Sequence, residues 1–517
     1  MAEEYARLRA AAVDGRAHNV YFRQTQVERL CKAVVSNARE LSKALKQDFE
    51  YRRDDVAIEL YATVAAIKES YAALEPEHVH DEEYLIAHGK DMPSFRKPAG
   101  IVYIEPCASH SLLNSALAPL TAAVAAGNCV ILLVSQLVFS SRTLALSTEA
   151  NRPFHIQLEE NAYMTATLLR RILPAALDNN TFALASSPIK DPDLLAQALV
   201  VKQSGEYHSP SSMQLSSFPQ GRTVAIVDRT ADVKAAARHL AGARFGLGGR
   251  SPYAPDCVFV NEFVKKAFLQ ALVGECISLS ECVVAETSGR KQKAGKHGSP
   301  SRVRSKLEAL NRNNLRLHVV TQELEFAVVD ILDRDLKAIG TKTCDPVLII
   351  HAVRSLDDAI GLVDLLGSPP CLAAYHFASL HAGKYLSHAV DAQVTFVNTI
   401  PKTLLVGPAF PASRDFDRTL RYPSHFFTVG RPAYVSSLPS DRLADAVLLS
   451  RSETAVQQLL AAASSPLQVQ KRWQGGRIGF FEQASLIYVA VLITAFAVSG
   501  AGLFLYIKSH WLGSVTA

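Results

Sequence analysis

An ionised thiol is among the strongest nucleophiles a protein carries, and this 517-residue chain has eight cysteines: Cys31, Cys107, Cys129, Cys257, Cys276, Cys282, Cys344 and Cys371. They are dispersed, with no CxxC pair and no Cys/His cluster at zinc-ligand spacing, so no metal site is expected and the thiols read as reduced core residues. Cys257 opens the apolar run Cys257-Val258-Phe259-Val260, which is the setting of a buried strand residue and not of a reactive one. No GxSxG elbow, P-loop, HExxH pair or complete GxGxxG turn offers another reactive centre. Basic residues concentrate in 287–306, where Arg290, Lys291, Lys293, Lys296, Arg302, Arg304 and Lys306 stand among Gly, Ser and Pro. That composition predicts a surface loop able to meet anionic lipid headgroups. The formal charge of +5 is small for the length and forms no long basic run, which excludes a nucleic-acid partner from the expectations.

The elements that would position such residues follow from periodicity. Residues 26–75 carry apolar positions at helical spacing (Val27, Leu30, Val34, Leu41, Leu45, then Ile58, Leu60, Val64, Ile67) and predict two long helices before any strand. From Gly100 onward, short β-branched runs at 101–104, 129–134, 223–227, 257–260, 347–351 and 394–397 alternate with helical stretches such as 231–245. This alternation predicts a parallel sheet with crossover helices, and a chain this long implies two or three packed units.

Residues 484–507 run for 24 positions without a charge. At ~1.5 Å per residue they give about 36 Å of helix, enough to cross a hydrocarbon core of about 30 Å. Tyr488, Tyr506 and Trp511 stand near the ends, where amphipathic rings favour the interface. Lys471, Arg472 and Arg477 precede the segment and only Lys508 and His510 follow, so the positive-inside bias places the body in the cytosol. The acidic start Met1-Ala2-Glu3-Glu4-Tyr5 lacks the basic and apolar regions of a signal peptide. A C-terminal tail anchor is expected, with the sequon Asn179-Asn180-Thr181 unused. Small residues from Ala497 to Gly502 would let two such helices approach.

Several motifs carry a resemblance. Pro98-Ala99-Gly100-Ile101-Val102, then Ala118-Pro119-Leu120 leading to Ala125-Ala126-Gly127-Asn128, resemble the opening cofactor-domain strands of the aldehyde dehydrogenase superfamily. The branch they are most similar to is that of the membrane-anchored fatty aldehyde dehydrogenases. Val227-Asp228, Phe245 to Asp256 ending in Ala-Pro-Asp, Asp345-Pro346-Val347, the stretch 353–360 and Asn398 continue the match in order over residues 21–434. The resemblance implies an α/β chain with a doubly wound, Rossmann-like cofactor-type domain, a second α/β domain, a small bridging sheet and a C-terminal transmembrane helix. The corresponding boundaries are 1–214, 215–392 and 393–440, followed by a connector at 441–483 and the anchor at 484–507.

The chemistry of that family needs a cysteine nucleophile, two oxyanion donors, a glutamate base and NAD. Alignment through Phe245 and Ala254-Pro255-Asp256 puts Pro252 at the nucleophile, which removes the thiol and, with it, the backbone N–H that serves as one oxyanion donor. The asparagine donor falls on His110, which could donate in one tautomer only, and the glutamate falls on Gln214, an amide that cannot act as a base. Leu133 and Gln136 stand at the ribose contacts. Ser186, within Ala185-Ser186-Ser187-Pro188-Ile189-Lys190, stands in the glycine-bearing turn, and Lys342 replaces the glutamate that holds the nicotinamide ribose. The late Gly-rich segment is degraded to 408–413. The resulting expectation is a tail-anchored pseudoenzyme, a binding or scaffold protein with no cofactor, seated in the endoplasmic reticulum or another organelle membrane. Its partners would be membrane lipid and a second copy or an active paralogue, joined through the family's dimer surface. The alternative is an active NAD- or NADP-dependent long-chain aldehyde dehydrogenase, acting on fatty or apocarotenoid aldehydes with a relocated nucleophile.

Overall fold

The structure is a computed structural model that describes residues 2–134, 163–204, 213–287, 302–312, 315–334, 336–339, 342–366, 371–412, 414–436, 438–449, 452–467 and 480–514. The chain divides into two compact units, Met1–Ser436 and Ser437–Ala517.

Three sheets lie among the described residues of the first unit. The strands are β1 (Arg96–Pro98), β2 (Ile101–Glu105), β3 (Cys129–Leu133), β4 (Phe182–Ala185), β5 (Leu199–Lys202), β6 (Gln214–Ser216), β7 (Thr223–Val227), β8 (Cys257–Asn261), β9 (Leu317–Gln322), β10 (Ala327–Ile331), β11 (Val347–Val353), β12 (Cys371–Phe377), β13 (Ala392–Val397) and β14 (Thr428–Gly430). A five-stranded sheet has the order β4-β3-β2-β5-β6 and is parallel throughout. A seven-stranded sheet has the order β13-β12-β7-β8-β11-β10-β9, parallel except for β9 against β10. β1 and β14 form a two-stranded antiparallel pair.

The strand pleat decides which helix covers which face. Val102, Ile104, Val130 and Leu132 point to one side of the five-stranded sheet and share a core with the helix Leu112–Ala125, all of whose residues are buried. Their neighbours Ile101, Tyr103, Cys129 and Ile131 point to the other side and meet Tyr5, Leu8 and Ala11 of the helix Ala2–Val13. The seven-stranded sheet alternates in the same way. Val224, Ile226, Cys257 and Phe259 face one core, while Ala225, Val227, Val258 and Val260 face the other. Strands covered on both faces read as unbroken apolar runs, which is why the sequence exposes them.

Between residues 20 and 72 there are three helices and not two: Val20–Ser36, Ala38–Phe49 and Arg53–Ala72. Asn37 leaves helical geometry, donating its side-chain amide to the Ala33 carbonyl, and Glu50 turns left-handed with φ 55°. The basic stretch also departs from the expected loop. Residues 288–301 lie outside the described residues, but Arg302–Arg312 is a helix, because Val303, Leu307 and Leu310 form a buried stripe at helical spacing.

In the second unit the helices Pro439–Leu448 and Glu453–Ala463 pack together, and a helix spans Phe480–Ser514. Its stretch Glu482–Leu505, 24 residues with mean hydropathy 2.2 and none of it buried, is long and apolar enough to cross a membrane. Lys471, Arg472 and Arg477 lie outside the described residues.

Candidate functional site

The turn between the helix Val233–Phe245 and β8 brings the most position-dependent chemistry together. Leu247, Gly248 and Gly249 are all left-handed, with φ of 51°, 62° and 68°. For a leucine this conformation is sterically costly, and the Leu247 amide is held in it by donating to Asp55 Oδ1 at 2.9 Å. Gly249 admits no side chain, since a Cβ there would stand 2.8 Å from the Pro346 nitrogen. The turn is therefore clamped between the first helices and the segment at 345–346. It delivers Pro252 to a buried position, where its carbonyl accepts from Thr223 Oγ1 at 2.9 Å. Tyr253, fully buried behind it, accepts the Phe410 amide on its hydroxyl at 2.8 Å and accepts Tyr375 Oη on its carbonyl at 2.9 Å.

His110 lies just before the helix Leu112–Ala125 and is buried. Its Nε2 stands 2.9 Å from the Leu405 carbonyl, which can only accept, so Nε2 carries the hydrogen. Nδ1 is then an acceptor, and the Tyr51 hydroxyl donates to it at 3.2 Å. Burial pushes the imidazole pKa down to about 3, against the Leu405 hydrogen bond, with Arg250 and Arg421 adding repulsion. The ring is neutral and its single N–H is already committed to a main-chain carbonyl.

Gln214 begins β6, half-buried, paired with Val200 of β5. Beside it, the Ser217 amide bonds the Lys202 carbonyl and the Ala412 amide bonds the Ser216 carbonyl. The order of the five-stranded sheet reverses between β2 and β5, and in open α/β sheets a crevice at such a switch point is the usual ligand site. Here Gln203 bridges the strand ends, accepting from the Cys107 amide at 2.9 Å and donating to the Ser115 carbonyl at 2.9 Å. Leu133 ends β3 half-buried, and Gln136 and Ser413 lie outside the described residues. Ser186 is exposed at the end of β4, where Arg170 Nη1 donates to its hydroxyl at 3.4 Å. The helix that follows, Pro192–Gln197, has only six residues and is capped by Asp191, with Asp193 in its first turn. Two carboxylates at that end repel an incoming diphosphate.

Lys342 is buried and forms an ion pair with Asp256, Nζ to Oδ2 at 2.9 Å. Asp256 also accepts from the amides of Thr223 at 2.8 Å and Thr343 at 3.0 Å, and Arg244 Nη1 stands 3.8 Å away. His110 and Lys342 thus have separate partners, and no described contact joins them at one ligand. The sequence reading missed this carboxylate hub and its arginine. The available signal was a charged Arg244 between Ala243 and Phe245 on a helix whose apolar face is buried. Cys257 is buried in β8, and burial raises its thiol to about 12. No group of three or more His, Cys, Asp or Glu able to hold a metal occurs among the described residues.

A doubly wound five-stranded sheet, a seven-stranded sheet and a short two-stranded pair in one unit define the aldehyde dehydrogenase fold. Solved structures share it. The substrate-bound state of Staphylococcus aureus AldH superposes with a TM-score of 0.58 at 18% identity, covering 84% of this chain and 94% of that one. A glyceraldehyde-3-phosphate dehydrogenase from Methanocaldococcus jannaschii complexed with NADP gives 0.56 at 14% identity, over 83% and 93%. No protein-family model matches the chain. In sequence it is similar to aldehyde dehydrogenase family 3 member B1 of Rattus norvegicus, 25% identical over 52% of this chain and 55% of the relative. It is similar also to family 3 member A2 of Mus musculus, 22% identical over 76% and 78%. The chain spans about half the length of the first of these relatives, and it shares the fold of the aldehyde dehydrogenase superfamily.

Proposed function

We propose that this chain is a membrane-held aldehyde dehydrogenase-fold protein that acts by binding and does not oxidise aldehydes. The observation that carries the reading is Pro252, buried at the turn where the family would present its thiol. Supporting it, the one N–H of His110 is committed to Leu405, Gln214 offers an amide, and Lys342 is locked to Asp256. The residues around β4 and β5 do not fit a dinucleotide. Asp191 and Asp193 occupy the helix start, Gln203 bridges the strand ends, and Leu133 offers no polar contact. A relocated thiol at Cys257 gains no support from a position buried in a central strand.

The helix Phe480–Ser514 supports attachment to a membrane; the basic residues before the span in the sequence favour a cytosolic body, with the endoplasmic reticulum as the expected site. The partner would be a second copy or an active paralogue, meeting β13, an edge strand whose outer backbone has no neighbour in the seven-stranded sheet. The test is hydride transfer at 340 nm with long-chain aldehydes, beside an NAD titration by calorimetry, on the full chain in detergent. No turnover and no saturable heat are expected. Turnover that disappears in a Cys257→Ala variant would establish the relocated nucleophile and overturn the proposal.

A further inference from the structure

Behind the clamped turn, positive side chains gather without matching negative ones. Arg244 is wholly buried and Arg250 nearly so, and each has an Nε atom with no hydrogen-bond partner among the described residues. Arg244 spends one guanidinium nitrogen on the carbonyls of Thr343 (2.7 Å) and Asp345. Arg250 donates to the Phe49 carbonyl at 3.0 Å. Arg302 bonds the carbonyls of Gly248 and Cys344 and lies 3.3 Å from the Asp345 carboxylate. Lys342 completes the group on Asp256. Lys306, on the same helix as Arg302, makes no ion pair or hydrogen bond among the described residues. Its ammonium is disfavoured first by burial, and then attracted by Asp345 and Asp256 and repelled by Arg244. Arg250 in turn feels Arg302 as its strongest neighbouring charge, a repulsive one, with Tyr51, Glu50 and Asp345 acting the other way.

Five cations therefore surround two carboxylates, Asp256 and Asp345, with Glu50 acting from an exposed position. Buried charges persist when they are paired, and a surplus of this kind requires a counter-charge. The preceding sequence, 288–301, contains no Asp or Glu and so has none to offer. Arg302 and Lys306 also stand in the first turns of the helix Arg302–Arg312, whose dipole adds positive potential at that end. Arg244 and Arg302 converge on the same short segment, Thr343 to Asp345, and guanidinium groups brought together in this way suit a tetrahedral oxyanion, which accepts several donors at once.

We propose that Arg244, Arg250, Arg302 and Lys306 form a binding site for a phosphate-bearing ligand at the back of the former nucleophile turn, with Lys342 held on Asp256 and neutralising it. The site stands on the charge arrangement alone and is independent of whether aldehyde oxidation has been lost. Lys306 is the residue to change, because nothing among the described residues is paired with it. The full chain in detergent is titrated with inorganic phosphate at constant ionic strength, with binding read by calorimetry and by the melting temperature. Chloride serves as the control. Saturable binding and a rising Tm are expected with phosphate, and Lys306→Gln weakens binding about tenfold or more, the size of one charge-assisted contact. Without phosphate the same variant melts at or above the wild-type temperature, because a repulsion has been relieved. A Tm that falls in the variant without phosphate, or phosphate binding that is non-saturable or unchanged in the variant, overturns the site. Vesicles of phosphatidylcholine with and without phosphatidic acid then separate the sources. Displacement of inorganic phosphate only by the acidic vesicles assigns the site to a lipid headgroup, and its absence assigns it to a soluble phosphate.

Discussion

Restoring the thiol at position 252 is the most direct chemical repair, and at the scale of single residues it should fail. Pro252→Cys returns a nucleophile and a backbone N–H to a buried turn, but His110, at the position of the family's other donor, cannot serve as the second oxyanion donor. Its Nε2–H already bonds Leu405. Losing one such donor costs about 10² to 10³ in rate, and losing general-base help about 10² to 10⁴. Gln214 supplies no base, and Lys342 is held by Asp256. The expected outcome is no NAD-dependent absorbance change at 340 nm above that of the parent chain; a rate within 10³-fold of an active homologue, on the order of one missing donor, would refute it. The sequence made the residue types at these positions legible, and with them the missing thiol and carboxylate. It did not make the partners legible. Leu405 stands 295 residues from His110 and Asp256 stands 86 from Lys342, so the tautomer of one and the neutralisation of the other depend on tertiary contacts that no local pattern encodes.

Among the elements, the helix Leu112–Ala125 shows how such contacts are made and what they cost. Its preceding residue, Ser111, is left-handed and provides no side-chain cap. The cap comes instead from another helix: Glu59 of Arg53–Ala72 accepts the Leu113 amide on Oε1 at 3.1 Å, while Oε2 has no hydrogen-bond partner among the described residues. Burial raises the Glu59 pKa to about 8, outweighing the hydrogen bonds from Asn114 and Leu113 that lower it. The folded state therefore binds a proton that the unfolded chain releases near its ordinary value of 4.5. The sign follows: this group's contribution to stability is full below about 4.5 and is lost as pH rises toward about 8. The slope has a ceiling of about 1.4 kcal/mol per pH unit. Glu59→Gln keeps the acceptor and cannot ionise, so the Tm difference between variant and wild type should grow in the variant's favour from pH 5 to pH 8, on the order of a few degrees. Parallel melting curves across that range would remove the argument. His110 acts oppositely: its pKa lies low in the fold, so its contribution is present above about 6.5 and is lost as pH falls toward about 3. Periodicity revealed the strands, because a strand buried on both faces is an apolar run. It merged two of the early helices because a break at Asn37 interrupts the backbone without interrupting the apolar spacing.

At the scale of the whole chain, a unit carrying three sheets and a well-buried core is followed by a unit that ends in a helix with no buried face. The apolar stretch Glu482–Leu505 was legible from composition alone, since nothing in a water-soluble setting keeps 24 such residues together with none of them buried. If this helix is the principal attachment, deleting residues 480–517 should move the protein from the membrane pellet to the supernatant without unfolding Met1–Ser436. That unit has its own core, and the deletion removes none of its residues. A less drastic change tests the same point with the chain intact. An arginine at the centre of a span costs about 2.5 to 3.5 kcal/mol on insertion scales, so Ile493→Arg together with Val489→Arg should release a large fraction of the protein into the soluble phase. Both substitutions replace exposed apolar residues of the second unit. Fractionation after a high-salt wash reads the outcome, and light scattering on the released body gives the mass that decides between a monomer and the dimer expected at β13. A deletion variant that still pellets after the wash would mean that the body itself holds the membrane through contacts that salt does not screen.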